Sequence, residues 1–281
     1  MKLSVEANAN GFGAAIRGVS LAKGLDTDEV AQIHTSWLHH QVIYFTDQPL
    51  GHDELKAFTL AFGPFGDNPY VKPVDGHADI LEIRREPDES VPPFGTSWHS
   101  DWSFQSTPPA ATILHAKIVP PVGGDTLYAD GFLAYETLSE ALKSEIEDLQ
   151  AVHSARRPYS HQGYKASGGA DRSMTIRPSD KAWETQLHPV VRTHPESGRR
   201  ALWVNPVYTI AIHGAPEAAS KRLLNELFQH ALKEDFIYTH KWQPNMLTMW
   251  DNRCVQHCAQ GGYDGYRRVM HRTTVAGDEP V

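Results

Sequence analysis

One residue separates His99 from Asp101, and the residues that would complete their chemistry, His257 and Arg268, lie far downstream. Two imidazoles and one carboxylate can hold one face of a divalent cation and leave the opposite face open. Open positions on such a site mark non-haem Fe(II) oxygenases. A nearby arginine supplies what that site still needs, a fixed cation for an acidic co-substrate. A fold that uses these residues together must bring a middle segment of the chain against its C-terminal strands.

The length of 281 residues is compatible with one domain, 1–281, since all-β sandwiches and barrels of that size occur as single units. Hydrophobic residues at 40% and charged residues at 21% describe a globular protein with an ordinary core. The net charge of −8, from 34 acidic and 26 basic residues, argues against nucleic acid as a partner, because phosphate binding needs a basic face. With 16 histidines, a lone histidine carries little meaning. The two cysteines, Cys254 and Cys258, flank His257 and invite a zinc reading. No further cysteine stands at zinc-finger spacing, so two small apolar fillers are the simpler account. The N-terminal run Met1-Lys2-Leu3-Ser4-Val5-Glu6 has no apolar signal core, and no stretch has the length of a membrane span; the expected location is cytoplasmic.

Asp26-Thr27-Asp28 opens a helical pattern through Val30, Ile33, Trp37 and Leu38, and Val42–Phe45 reads as a short β run. His52 to Phe62 is helical in period until Gly63-Pro64 stops it. From Ile80 the texture turns to short strands, among them Ile80–Ile83, Ala111–Ala116 and Thr126–Ala129. Ser139 caps a helix running through Leu142, Ile146 and Leu149. Residues 153–182 read as a long polar loop, the kind that serves as a lid. Pro195–Gly198 turns a hairpin, Pro216 begins a second clear helix, and two strands, Met246–Trp250 and Tyr266–Val275, close the chain. The expected class is mainly β with flanking helices, a jelly roll with a pocket between two sheets.

In extended backbone, residues i and i+2 share a face, so His99 and Asp101 can chelate one ion together. The triplet alone is weak, since it also arises by chance. Its setting after the Gly/Pro-rich Pro92-Pro93-Phe94-Gly95 strengthens it. Alternation in the last strand puts Arg268 and Arg272 on one face. Either that face is solvated, or it lines a pocket and binds anions, because a buried charge needs a partner.

These segments resemble the taurine dioxygenase (TauD/TfdA) family of Fe(II)/2-oxoglutarate-dependent oxygenases. The likeness covers nearly the whole chain. It is densest at Trp98–Asp101, Pro120–Thr126, His188–Pro195, Trp250–His257 and Arg267–Arg272. It implies a double-stranded β-helix of cupin-like form, with iron on His99, Asp101 and His257. 2-Oxoglutarate would chelate the metal, with its far carboxylate on Arg268 and a hydrogen bond from Thr126. O2 is the second co-substrate, and succinate and CO2 are products of hydroxylating a C–H bond. Arg272 matches a second family arginine able to hold an acidic group of the substrate. Trp250 and Asn252 read as support for the His257 strand.

The substrate residues depart from the taurine pattern. Asn68 and Gly95 stand where that pattern has a histidine and an asparagine, and two pocket phenylalanines become Tyr159 and Tyr208. The expected substrate is a small anionic molecule other than taurine: a sulfonate, sulfate ester, aryloxy acid or similar. Tyr159 and Tyr208 either face it or serve as ordinary core, and Asn68 is a further candidate for its pocket. The same iron centre could instead desaturate or tailor a secondary metabolite. A non-catalytic cupin-like binding module would be expected to have lost one of His99, Asp101, His257 or Arg268. A zinc hydrolase would need a general base that nothing in the sequence names. The family often forms dimers or tetramers; the sequence shows no interface signature.

Overall fold

The computed structural model describes residues 3–281; Met1 and Lys2, part of the N-terminal run read above, lie outside the described residues. Its frame is an eight-stranded sheet. The strand order is Ser4–Ala7, Ala14–Arg17, Val42–Phe45, Leu247–Asp251, Ala111–Ile118, Arg268–Val275, His77–Arg85 and Pro73–Val74. Every pairing is antiparallel except that of Ala14–Arg17 with Val42–Phe45. A three-stranded sheet of Ile237–His240, Thr126–Asp130 and Val255–Ala259 packs over one face. Tyr128, Trp250, Leu114, Met270 and Val255 form the core between the two layers. This is the open, two-layered form of a jelly roll, mainly strands with fewer helices and without barrel closure.

Helices cover the outer face of the large sheet. Asp26 starts Thr27–His40 with a reciprocal capping box: its carboxylate accepts from Glu29 N at 2.8 Å, and the Glu29 carboxylate accepts from Asp26 N at 3.1 Å. That helix buries Ile33 and Trp37, and His52–Leu60 buries Leu55 and Phe58, all against Ile43, Phe45, Ile113 and Met249. A second core gathers under the helix Glu217–Ala231 through Leu223, Leu224 and Leu227. The hairpin Val191–Thr193 with Arg200–Leu202 packs there too.

Three features differ from the sequence reading. The Ser139-capped helix ends at Ile146, short of Leu149, because Glu147 and Asp148 put negative charge at the helix's negative end. Three strands, not two, close the chain, and His257 lies in the middle of its own strand, Val255–Ala259. Asp251 makes the reversal that separates it from Leu247–Asp251, accepting at its carboxylate from Arg253 N at 3.0 Å. All but Ala259 of that strand are buried, so it carries no period-two alternation for a reader to find. Residues 153–182 are not a structureless loop. They hold the end of strand Gln150–Ser154, the short helices Arg156–Tyr159 and His161–Ala166, and two 3-10 turns. Ser160 and Ser179, which read as loop residues, cap helix starts, and Ser154 at the end of its strand donates to Ala182 O at 2.9 Å.

Candidate metal centre

His99 and His257 face each other across an isolated antiparallel bridge, each donating its backbone N–H to the other's carbonyl, at 3.0 and 2.8 Å. Their ring centroids are 4.2 Å apart. Asp101 Oδ1 lies 3.6 Å from His99 Nε2 and 3.9 Å from His257 Nε2. All three side chains are buried. The donor set fits a divalent cation. His99 Nδ1 is taken by Ser97 O at 2.7 Å, which leaves Nε2 as the free lone pair on that ring. Burial would raise the Asp101 pKa, but Arg272, His257 and His99 outweigh it and hold the carboxyl well below its usual range, ionised as a ligand must be. Burial and the neighbouring His99 push His257 down to about 3, so it offers a neutral imidazole.

Thr112, unread in the sequence, joins Asn252 and Trp250 in fixing Asp101. Thr112 donates to Asp101 Oδ2 at 2.6 Å. Asn252 donates to Thr112 Oγ1 at 2.9 Å and accepts from Asp101 N at 3.3 Å and Trp250 Nε1 at 3.0 Å. Asn252 and Trp250 therefore brace Asp101 rather than the His257 strand alone. The residue after Asp101, Trp102, holds a positive φ of 45°, costly for a side chain of that size. Arg272 lies over the Trp102 ring at 4.5 Å, and its Nη2 is 3.1 Å from Asp101 Oδ1, close enough for an ion pair though out of line for a hydrogen bond.

Beside these ligands is a cavity of about 50 Å³ lined by His99, His257, Thr126, Trp250, Arg268 and Arg272, with Leu114 and Ile83 as its apolar wall. Arg268 is only 6% exposed. Among the described residues it has no carboxylate partner; its one hydrogen bond is a long 3.5 Å contact to Gly124 O, and Nε has none. Burial with no countercharge lowers its pKa, and a buried guanidinium in this state calls for an anion. Thr126 Oγ1 accepts from Trp242 Nε1 at 3.0 Å, which leaves its own proton to donate. Both residues therefore fit the far carboxylate of a keto diacid chelating the metal.

A larger chamber of about 270 Å³ also borders His99, walled by Pro92, Phe94, Tyr159, Ile176, Val207 and Tyr208. Tyr208 sits edge-on to His99, and Tyr159 stacks on Tyr70 with centroids 4.5 Å apart. Gly95 borders both the chamber and the metal cavity. The four sequence candidates for the substrate do not share one pocket. Tyr159 and Tyr208 line the chamber, whereas Asn68 lies with Arg272 on a separate polar pocket of about 190 Å³. Both ends of the Asn68 amide are spent on Val71, at 2.7 and 3.3 Å.

One other group of metal-ligand types converges, His194, Asp251 and Cys254. Its carboxylate is already committed, to Arg253 at 2.7 and 2.8 Å and to His194 at 3.0 Å, so it is an ion-pair network rather than an ion site. Cys254 and Cys258 are free, buried thiols, and burial raises the pKa of both. No helix among the described residues is long and apolar enough to cross a membrane.

Comparison with known proteins gives a consistent picture. The family model of the taurine catabolism dioxygenase TauD, TfdA family matches residues 4–274. The chain is 33% identical over 286 residues to an alpha-ketoglutarate-dependent 2,4-dichlorophenoxyacetate dioxygenase of Cupriavidus pinatubonensis, covering 96% of each. It is 35% identical over 271 residues to an alkylsulfatase of Acinetobacter baylyi, covering 95% of this chain and 83% of that one. A solved taurine dioxygenase from Burkholderia xenovorans superposes with a TM-score of 0.82 at 33% identity, covering 99% and 91% of the two chains.

Proposed function

The chain belongs to the TauD/TfdA family and is a 2-oxoglutarate-dependent dioxygenase, and from that premise we propose how its own residues carry the reaction. His99, Asp101 and His257 hold Fe(II). When bound, the ion supplies O2 activation coupled to decarboxylation of 2-oxoglutarate, giving succinate and CO2. Arg268 pairs with the far carboxylate of 2-oxoglutarate and Thr126 donates to it. Thr112 and Asn252 keep Asp101 in one orientation. Tyr159 and Tyr208 flank the substrate in the apolar chamber beside His99, and Arg272 faces its acidic group. Asn68, bonded to its own turn, supports the edge of the Arg272 pocket. Residues 153–182 act as the lid, since Pro158, Tyr159, Ser167 and Arg172 all line the chamber.

The observation that carries this reading is the meeting of a two-histidine, one-carboxylate cluster with an unpaired, buried arginine in one cavity. The expected substrate is a small organic anion with an apolar body, an aryloxy acid or a sulfate ester, whose hydroxylation next to oxygen lets the molecule fall apart. The test is a screen of aryloxy acids, sulfate esters, sulfonates and amino acids with Fe(II) and ascorbate, reading succinate and the organic product together. Product analysis separates hydroxylation from desaturation. Turnover retained in His257→Ala would refute the ligand assignment.

A further inference from the structure

Arg268 is placed by packing rather than by bonds. Its one hydrogen bond is 3.5 Å long, and no ion pair holds it. What sits behind it is Tyr263, a buried ring absent from the cavity lining, with its centroid 6.0 Å from the Arg268 guanidinium carbon. Arg85, the cross-strand neighbour of Arg268, lies over the same ring at 5.1 Å. Two guanidinium groups thus pack against one ring. Arg85 is itself anchored, by Asp264 at 2.8 Å and by the carbonyls of Glu89 and Val91 at 3.0 and 3.3 Å. The Gly124 backbone also lies close: a Cβ there would make ordinary van der Waals contact with the Tyr263 ring at 3.4 Å and with Arg268 Nε at 3.5 Å. Gly124 N donates to Gly261 O at 3.0 Å, which ties that wall to the loop carrying Tyr263.

We propose that Tyr263 fixes how deep the Arg268 guanidinium sits and so sets the chain length of the keto diacid the site accepts. This rests on the reading that Arg268 holds the far carboxylate. With the keto-acid end fixed at the metal, the span from that end to Arg268 is a ruler. A diacid one methylene too long drives its carboxylate into a cation that cannot retreat, because the ring and the anchored Arg85 stand behind it. Tyr263 is therefore a positioning residue: it touches Arg268 and not the diacid.

The test compares 2-oxoglutarate with 2-oxoadipate, one methylene longer, by calorimetric titration of the Mn(II)-loaded protein without primary substrate. Turnover is read separately as succinate against glutarate. Wild type should favour 2-oxoglutarate. Tyr263→Leu, which gives Arg268 room to withdraw, should shift the ratio of the two affinities by about tenfold toward 2-oxoadipate, the scale of one methylene in a fitted pocket. Tyr263→Phe should leave the ratio at the wild-type value, since the hydroxyl makes no hydrogen bond here. The ratio is read within one preparation, so partial unfolding lowers both affinities together and does not move it. An unchanged ratio in Tyr263→Leu, or the same shift in Tyr263→Phe, overturns the ruler. Arg268→Gln binding 2-oxoglutarate as tightly as wild type would instead remove the underlying reading.

Discussion

Thr112→Val tests whether Asp101 is a ligand by virtue of its own position or because its neighbours hold it there. The substitution keeps the shape of a residue with no exposed surface and removes one hydroxyl. That hydroxyl donates to Asp101 Oδ2 at 2.6 Å and accepts from Asn252 Nδ2 at 2.9 Å. A hydrogen bond to a charged group contributes about 1.5–3 kcal/mol, and a buried amide left without its acceptor costs about 1–3 kcal/mol more. The Arg272 contact survives and offsets part of this, so the expected loss of stability is about 2.5–4 kcal/mol, the lower part of that combined range. Metal affinity should fall separately. Partners that orient a ligating carboxylate are typically worth about 10–100-fold in affinity, or about 1.4–2.8 kcal/mol. The assay is a Co(II) or Mn(II) titration beside a thermal melt, with Ser100→Ala as control. Ser100 Oγ donates to Val255 O at 2.8 Å, so its loss should lower the melting temperature without touching Asp101. Thr112→Val that melts early but binds metal like wild type would refute the reasoning and reduce Thr112 to packing.

Arg268→Ala should raise the 2-oxoglutarate requirement by about 100-fold, from the loss of a buried two-bond pair, and leave the KM for the primary substrate nearly unchanged. The reverse pattern, read from paired KM measurements, would exchange the roles of Arg268 and Arg272. Acid should destabilise the protein through its buried histidines. Burial pushes His115 and His188 down to about 4 from an ordinary 6.5. Between pH 6.5 and about 4 the unfolded chain takes up protons that these folded imidazoles refuse, so stability falls as pH falls, by up to about 1.4 kcal/mol per pH unit for each histidine. Below about 4 the folded rings charge as well and the effect levels off. Melting curves across that window for wild type and His115→Gln check it; equal slopes would remove His115 from the account.

The sequence carried the site better than its surroundings, for physical reasons. His99, Asp101, His257 and Arg268 are chemically distinctive, and their order along the chain is enough to suggest a shared ion. Thr112, Asn252 and Tyr263 are neutral residues whose roles depend on neighbours far away in the chain, and spacing carries no trace of that. The helix start at Asp26 was legible because its acidic residues fall within one turn, although its capping box with Glu29 went unread. The strand around His257 was not, because burial on both faces erases alternation. Residues 153–182 read as loop because one-turn helices have no period long enough to detect. Arg268 and Arg272 were placed on one face by alternation, and both are buried. Alternation could not say that Arg272 leans on Asp101 while Arg268 stands unpaired.

Charge explains why two arginines share that strand. Asp101 contributes one negative charge, the imidazoles would bind a metal as neutral ligands, and Arg268 and Arg272 contribute two positive charges. The protein's own groups therefore sum to one positive charge in a buried cavity. A divalent cation and a dianionic keto diacid cancel each other and leave that charge standing. A monoanionic substrate closes the balance. A neutral molecule or a zwitterion leaves a buried cation uncompensated, which costs several kcal/mol. The chamber beside His99 offers a zwitterion's ammonium no free carboxylate: its one charged lining residue is Arg172, a cation ion-paired at 4.0 Å with the buried Glu89 side chain, so that pair adds no net charge. The same walls of Phe94, Tyr159, Val207 and Tyr208 suit an aryl or alkyl body. Electrostatics and shape thus predict the same kind of substrate for the proposed site, an apolar group carrying one anionic end. An aryloxy acid or alkyl sulfate meets that description, and a zwitterionic sulfonate turned over faster than either would contradict it.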